Sequence, residues 1–110
     1  MAPDNVPADA KVKITVVQRT HNREYLGRFL EADYAALEPC DCFSEGQEFF
    51  VAQPWEMPAG FCPWAWADIR GQIVAVLSGG HLPGMKEPAT AVAGCTDWLR
   101  PVLFFIQKIA

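Results

Sequence analysis

Cysteine is the side chain with the widest chemical reach in this sequence, and its four copies fall in three separate stretches, at Cys40 and Cys42, at Cys62 and at Cys95. The most informative surroundings are those of Cys62, in the run Gly60-Phe61-Cys62-Pro63-Trp64-Ala65-Trp66-Ala67-Asp68-Ile69. Proline is favoured at the first position of a helix, so Pro63 predicts Cys62 as the N-cap, beside unpaired amides and the positive end of the helix dipole. Such a setting favours a thiolate, the nucleophilic form of the side chain. A shell of Phe61, Trp64 and Trp66 favours the opposite, a buried and inert thiol, and exposure decides between the two.

If Cys40, Cys62 and Cys95 converge, their thiolates could ligate zinc or another soft metal, with Cys42 or His81 as a fourth ligand. The same convergence could serve redox exchange, with Cys62 attacking and Cys40 or Cys95 resolving. No Cys-x-x-Cys pair favours either reading. Asp68 and Asp97 are the nearest carboxylates in sequence and are candidates for acid-base work, as is His81 after Gly79-Gly80. Their structural alternatives are a helix cap or turn for the carboxylates and contact with a helix C-terminus for the histidine. The other histidine, His21, reads as surface. Arg100 has the planar fork that binds a ligand carboxylate or phosphate, or else forms a plain ion pair. Trp64 and Trp98 are candidate walls of a substrate pocket or of a contact between subunits, whereas Trp66 belongs to an apolar stripe and is expected in the core.

Gly60 to Ile69, together with Cys95-Thr96-Asp97 and Arg100-Pro101-Val102, resembles the signature of a family of small uncharacterised microbial proteins with a Gly-Phe-Cys-Pro-Trp-Ala-Trp core. Cys40, followed by Phe43, Gly46, Gln47 and Phe49, is similar to that family's upstream Cys-x-x-Phe-x-x-Gly segment, so the likeness runs from about Lys11 to Ile109. The resemblance implies kinship and brings no reaction with it. The sequence departs from the family pattern at Cys42, beside Cys40, and at Trp98, where a smaller residue is expected.

The elements that must position these side chains follow from periodicity. Lys11 to Arg19 alternates apolar and polar, with Val12, Ile14 and Val16 on one side, and predicts a half-buried strand. Asn22 can cap a helix carrying Leu26, Phe29, Leu30, Tyr34 and Leu37, ended by Pro39. Gln47 to Gln53 follows a turn signal and stops at Pro54, as a second strand would. From Pro63 to Gly79-Gly80 a second helix is expected, with Trp66, Ile69, Ile73, Val76 and Leu77 on its buried stripe. His81 to Thr96 contains Pro83, Gly84, Pro88 and Gly94 and reads as a long loop. Val102 to Ile109 is an apolar run suited to a strand buried on both faces. These elements predict a single compact α+β domain over residues 11–110. It would hold a small mixed or antiparallel sheet with two helices packed on one face. Met1 to Ala10, rich in proline and aspartate, is expected to be a flexible arm.

Composition bounds the function. The net charge of −4 and scattered basic residues argue against nucleic acid as a partner. No apolar run approaches the ~20 residues of a membrane span, and nothing at the start reads as a signal peptide, which points to the cytoplasm and reduced thiols. A chain of 110 residues can bury a core without disulfides or metal. The leading expectation is a small enzyme whose aromatic-lined pocket centres on Cys62 and takes an unidentified small molecule. A cysteine-ligated metal or thiol redox module is one alternative. The other is a non-catalytic scaffold that forms a homo-oligomer through its tryptophans.

Overall fold

The computed structural model describes residues 6–110, so the first half of the expected N-terminal arm, residues 1–5, lies outside the described residues. From Pro7 to Ala10 the chain makes a turn closed by the Ala10 amide on the Pro7 carbonyl, and Ala10 is buried. Then follow β1 (Val12–Arg19), α1 (Arg23–Phe29), α2 (Ala32–Ala35), β2 (Glu48–Val51), α3 (Pro63–Leu77), β3 (Thr90–Gly94) and β4 (Val102–Lys108). The strands form one antiparallel sheet in the order β2-β1-β4-β3, with α3 packed against β3, β4 and β1. The domain is therefore α+β, with a wholly antiparallel sheet.

Alternation in β1 and β4 decides which face is covered. Val12, Ile14 and Val16 of β1 and Val102, Phe104 and Ile106 of β4 are buried, and they meet Ala65, Ile69, Ile73 and Val76 of α3. Burying each of these valine, isoleucine and phenylalanine side chains is worth roughly 1.5–3 kcal/mol, which makes this seam a main stabilising element. The expectation that the last strand is buried on both faces is corrected, since Leu103 is 37% exposed and the pattern alternates. One sheet face has no helix over it, so the apolar run Val102 to Ile106 is half-buried despite its composition.

Two further expectations are corrected. The helix expected from Asn22 to Leu37 is broken in two, with extended backbone at Leu30 (ψ 156°) and Glu31 (ψ 158°). Its stripe is not buried as a unit. Leu26 is fully enclosed, whereas Phe29 is 67% and Tyr34 53% exposed. The cause is that α1 and α2 pack on each other instead of on the sheet, so nothing rewards one continuous apolar face. The second correction lies in His81 to Thr96, where the expected loop contains β3. Alanine and glycine, poor strand formers, fill three of its five positions, and pairing with β4 overrides their preference.

The helix that carries Cys62 forms as the sequence predicts. Cys62 is the N-cap of α3 with extended backbone (φ −73°, ψ 123°), and Pro63 opens the helix. At the other end Gly79 takes φ 78°, a left-handed conformation that glycine adopts freely, and α3 ends there. Among the described residues no helix is long and apolar enough to cross a membrane.

Candidate functional site

One end of the core is a cluster of phenylalanines, two of which, Phe43 and Phe61, adjoin cysteines in sequence. Phe43 packs edge-on to Phe49, Phe61 and Phe104 at centroid distances of 5.8, 5.0 and 5.2 Å, and Phe61 is 4.9 Å from Phe49. Phe43 and Phe61 are each 3% exposed. Two adjacent pairs, Cys42-Phe43 and Phe61-Cys62, thus put an anchor in the core and a sulfur at its rim.

All four cysteines line one cavity of about 170 Å³ at the start of α3. Cys40 and Cys42 come from the loop before β2, Cys62 from the α3 N-cap, and Cys95 from the residue after β3. Trp64, Asp41, Asp97 and Arg100 also line it, with Phe43, Ala65 and Val102 beneath. None of the thiols is in a disulfide; Cys42 is exposed and the other three are half-buried. The convergence of Cys40, Cys62 and Cys95 that the sequence left open is present at this cavity, and Cys42 joins them.

The sulfurs influence one another. The Cys42 thiol is pushed up from 9.0 to about 11, first by its hydrogen bond with Cys40, then by desolvation, then by the negative charge of Cys40, Cys62 and Asp41. Cys42 therefore keeps its proton at neutral pH. Cys95 is engaged differently, its sulfur accepting the Val102 amide at 3.3 Å. Among the described residues no group of three or more histidine, cysteine and acidic side chains is arranged to hold a metal ion, so the donor set expected from Cys40, Cys62, Cys95 and Cys42 or His81 is not assembled. Four thiols can share a cavity without the tetrahedral spacing that zinc requires.

Two guanidinium groups fix the loop that carries Cys40. Arg100 donates from Nε to the Glu38 carbonyl at 2.7 Å and from Nη2 to the Pro39 carbonyl at 3.4 Å. Arg19, at the end of β1, donates from Nη1 to the Cys40 carbonyl at 2.9 Å and from Nε to Glu45 at 3.0 Å. Arg100 lines the cavity, and at least two of its donors hold protein backbone. Arg19 was not legible as part of the site, since its partners lie more than twenty residues away and no local pattern links them.

A second set of bonds joins α3 to the β3–β4 connection. Asp68 accepts the Thr96 amide at 2.6 Å and the Thr96 hydroxyl at 3.0 Å, and Trp64 Nε1 donates to the same hydroxyl at 2.7 Å. Asp68 thus acts as a brace outside the cavity, not as an acid-base group within it. Charge-assisted bonds of this kind are worth more than neutral ones, so Asp68→Ala is expected to lower stability by about 1–2 kcal/mol in urea denaturation. A change within error of zero would show that the brace bears no load.

The remaining candidates separate. Asp97 lines the cavity, yet its Oδ1 accepts the Leu99 and Arg100 amides at 3.3 and 3.2 Å, the turn-forming role that competed with catalysis. His81 is exposed, its Nε2 within 2.7 Å of the Met85 carbonyl, and it does not reach the cysteines' cavity. Trp98, 74% exposed, does not line the cavity but a neighbouring groove with Pro101 and Leu103, which shares Cys95 and Val102 with it. Trp66 is half-buried against Phe61 at 6.0 Å and not fully in the core. The larger depression on the outer side of α3, lined by Trp55, Trp66, Arg70 and Val74, holds no thiol and no carboxylate. In comparisons with family models, with curated proteins and with solved structures, no match to this chain was found.

Proposed function

We propose that this protein is a small thiol–disulfide redox enzyme that acts on a low-molecular-weight disulfide in the cysteine cavity. The observation that carries the reading is that sulfurs from three distant segments line one small cavity. The residues that do so belong to the stretches resembling the Gly-Phe-Cys-Pro-Trp-Ala-Trp family, and kinship with that family is part of the proposal.

Cys62 is the attacking sulfur. It stands at the N-cap of a fifteen-residue helix and lines the cavity with the other thiols. Its thiolate attacks one sulfur of the substrate, the substrate S–S bond breaks, and the departing thiolate takes up a proton. A mixed disulfide remains on Cys62. Cys40 then attacks the Cys62 sulfur, the second substrate thiol leaves with a proton, and Cys40 and Cys62 are joined. Two protein thiols have been oxidised and one substrate disulfide reduced. A monothiol or dithiol reductant of the cytoplasm, where we place the protein, restores the starting state by the reverse exchange. Cys40 suits the resolving role better than Cys95, whose sulfur already accepts a backbone amide.

The test is equilibration of the reduced protein in thiol–disulfide buffers, with mapping of the crosslink by mass spectrometry. A Cys40–Cys62 bond that forms reversibly, and loss of disulfide reduction in Cys62→Ala, are the expected results. A protein that stays fully reduced across the whole range of buffers refutes the proposal.

A further inference from the structure

β3 is an edge strand, paired with β4 on one side and with nothing on the other. Backbone parity shows what that open side offers. The Cys95 amide donates to Val102 and the Lys108 amide to Ala89, so the odd-numbered residues of this stretch turn their peptide groups toward β4. Thr90, Val92 and Gly94 turn theirs outward. Among the described residues the backbone of Val92 and Gly94 makes no hydrogen bond outside the β3–β4 ladder.

Sheet proteins guard such an edge with charge, proline or a bulge. The strand Thr-Ala-Val-Ala-Gly has no charged side chain and no proline, and its register with β4 is unbroken. At the opposite edge β2 is shorter and carries Glu48. Val92 is 53% exposed, and on the helix-free face it lies beside Phe105, its register partner.

We propose that β3 pairs antiparallel with β3 of a second copy of this chain, about a twofold axis at Ala93, so that two four-stranded sheets become one. This register sets Val92 of each copy opposite Gly94 of the other. The outward amide and carbonyl of each meet their counterparts, and the absent side chain of Gly94 leaves room for Val92. The ladder is bounded at both ends. Thr90 is buried with its hydroxyl on the Glu87 carbonyl, and the Thr96 amide is already held by Asp68. An uncharged strand pairing with itself meets no like-charge repulsion. The inference is independent of the thiol chemistry, because none of β3 lines the cysteine cavity.

The experiment is sedimentation of the full chain with Val92→Lys and Val92→Pro. Proline at 92 removes only an outward amide and leaves the ladder to β4 intact, whereas lysine places a charge one residue from the axis in each copy. The wild type is expected at twice its 12.2 kDa chain mass and both variants at the single-chain mass with an unchanged circular dichroism spectrum. Amide exchange on the wild type provides a readout that needs no variant: Val92 and Gly94 should exchange at least about tenfold more slowly as concentration rises through the dimer range. A wild type of single-chain mass at ~100 µM, a dimer that survives both substitutions, or exchange at Val92 and Gly94 independent of concentration would each overturn the pairing.

Discussion

Phe61→Ala is expected to destabilise the domain by about 3–5 kcal/mol, the range for truncating a buried aromatic whose neighbours cannot collapse into the space. Phe61 touches Phe43, Phe49, Phe104 and Trp66 at centroid distances of 5.0, 4.9, 5.5 and 6.0 Å, and it is 3% exposed. Four neighbouring rings would lose contact with one deletion. A loss of that size is a large fraction of the stability of a small domain, so the variant should be partly unfolded well below the midpoint temperature of the parent. Trp66→Ala should cost less, because Trp66 is only half-buried. Equilibrium unfolding in urea measures both. A loss below about 1 kcal/mol for Phe61→Ala would mean that the cluster does not support the cavity above it.

The second large effect is chemical. Cys42 is exposed and by access alone should be among the first thiols to be alkylated. With its pKa pushed up to about 11, its thiolate at pH 7 is about a hundredfold rarer than at the ordinary 9.0. The more basic sulfur is intrinsically more nucleophilic, which returns about a factor of six, so a net slowing of about tenfold or more is expected. Cys40→Ala removes the largest cause, the hydrogen bond between the two thiols, and should recover most of that factor. Labelling followed by mass spectrometry at individual cysteines, from pH 7 to 11, checks both size and sign. The parent's Cys42 rate should keep climbing to the top of the range, while the variant's levels off earlier. Equal rates at pH 7 in the two proteins would rule out the coupling.

Much of the fold can be read in the sequence where one face of an element meets a partner. Val12, Ile14 and Val16 announce β1, and Ile69, Ile73 and Val76 announce α3, because burial on one side imposes the period. The same logic misled at Leu26 to Leu37, where apolar residues recur at helical spacing but only Leu26 is enclosed and no single surface receives the whole stripe. It was silent at Ala91 and Ala93, buried side chains too small to mark a strand. At the site, Pro63 specified the cap position of Cys62 from local chemistry alone. That Arg19 would hold Cys40 and that Asp68 would brace Thr96 depend on contacts across 21 and 28 residues. No short window contains them.

The pairing of β1 with β4, Val12 opposite Lys108, bears on how the domain comes into being. The two central strands lie at opposite ends of the domain's sequence, so the sheet's centre cannot close until β4 has emerged from the ribosome. Until then β1, β2 and the apolar stripe of α3 are exposed together. A loop of nearly the whole domain must be ordered before its longest ladder forms, and high contact order of this kind slows folding relative to helical domains of equal size. The interval is one in which free thiols and unpaired strand edges are accessible, and chaperone capture during synthesis should be concentrated there. Joining Lys11 to Ile109, whose backbones already meet in a 2.8 Å hydrogen bond, and reopening the chain in the loop before β2 would make β4 and β1 consecutive. Such a permutant should fold faster than its parent while keeping the same sheet.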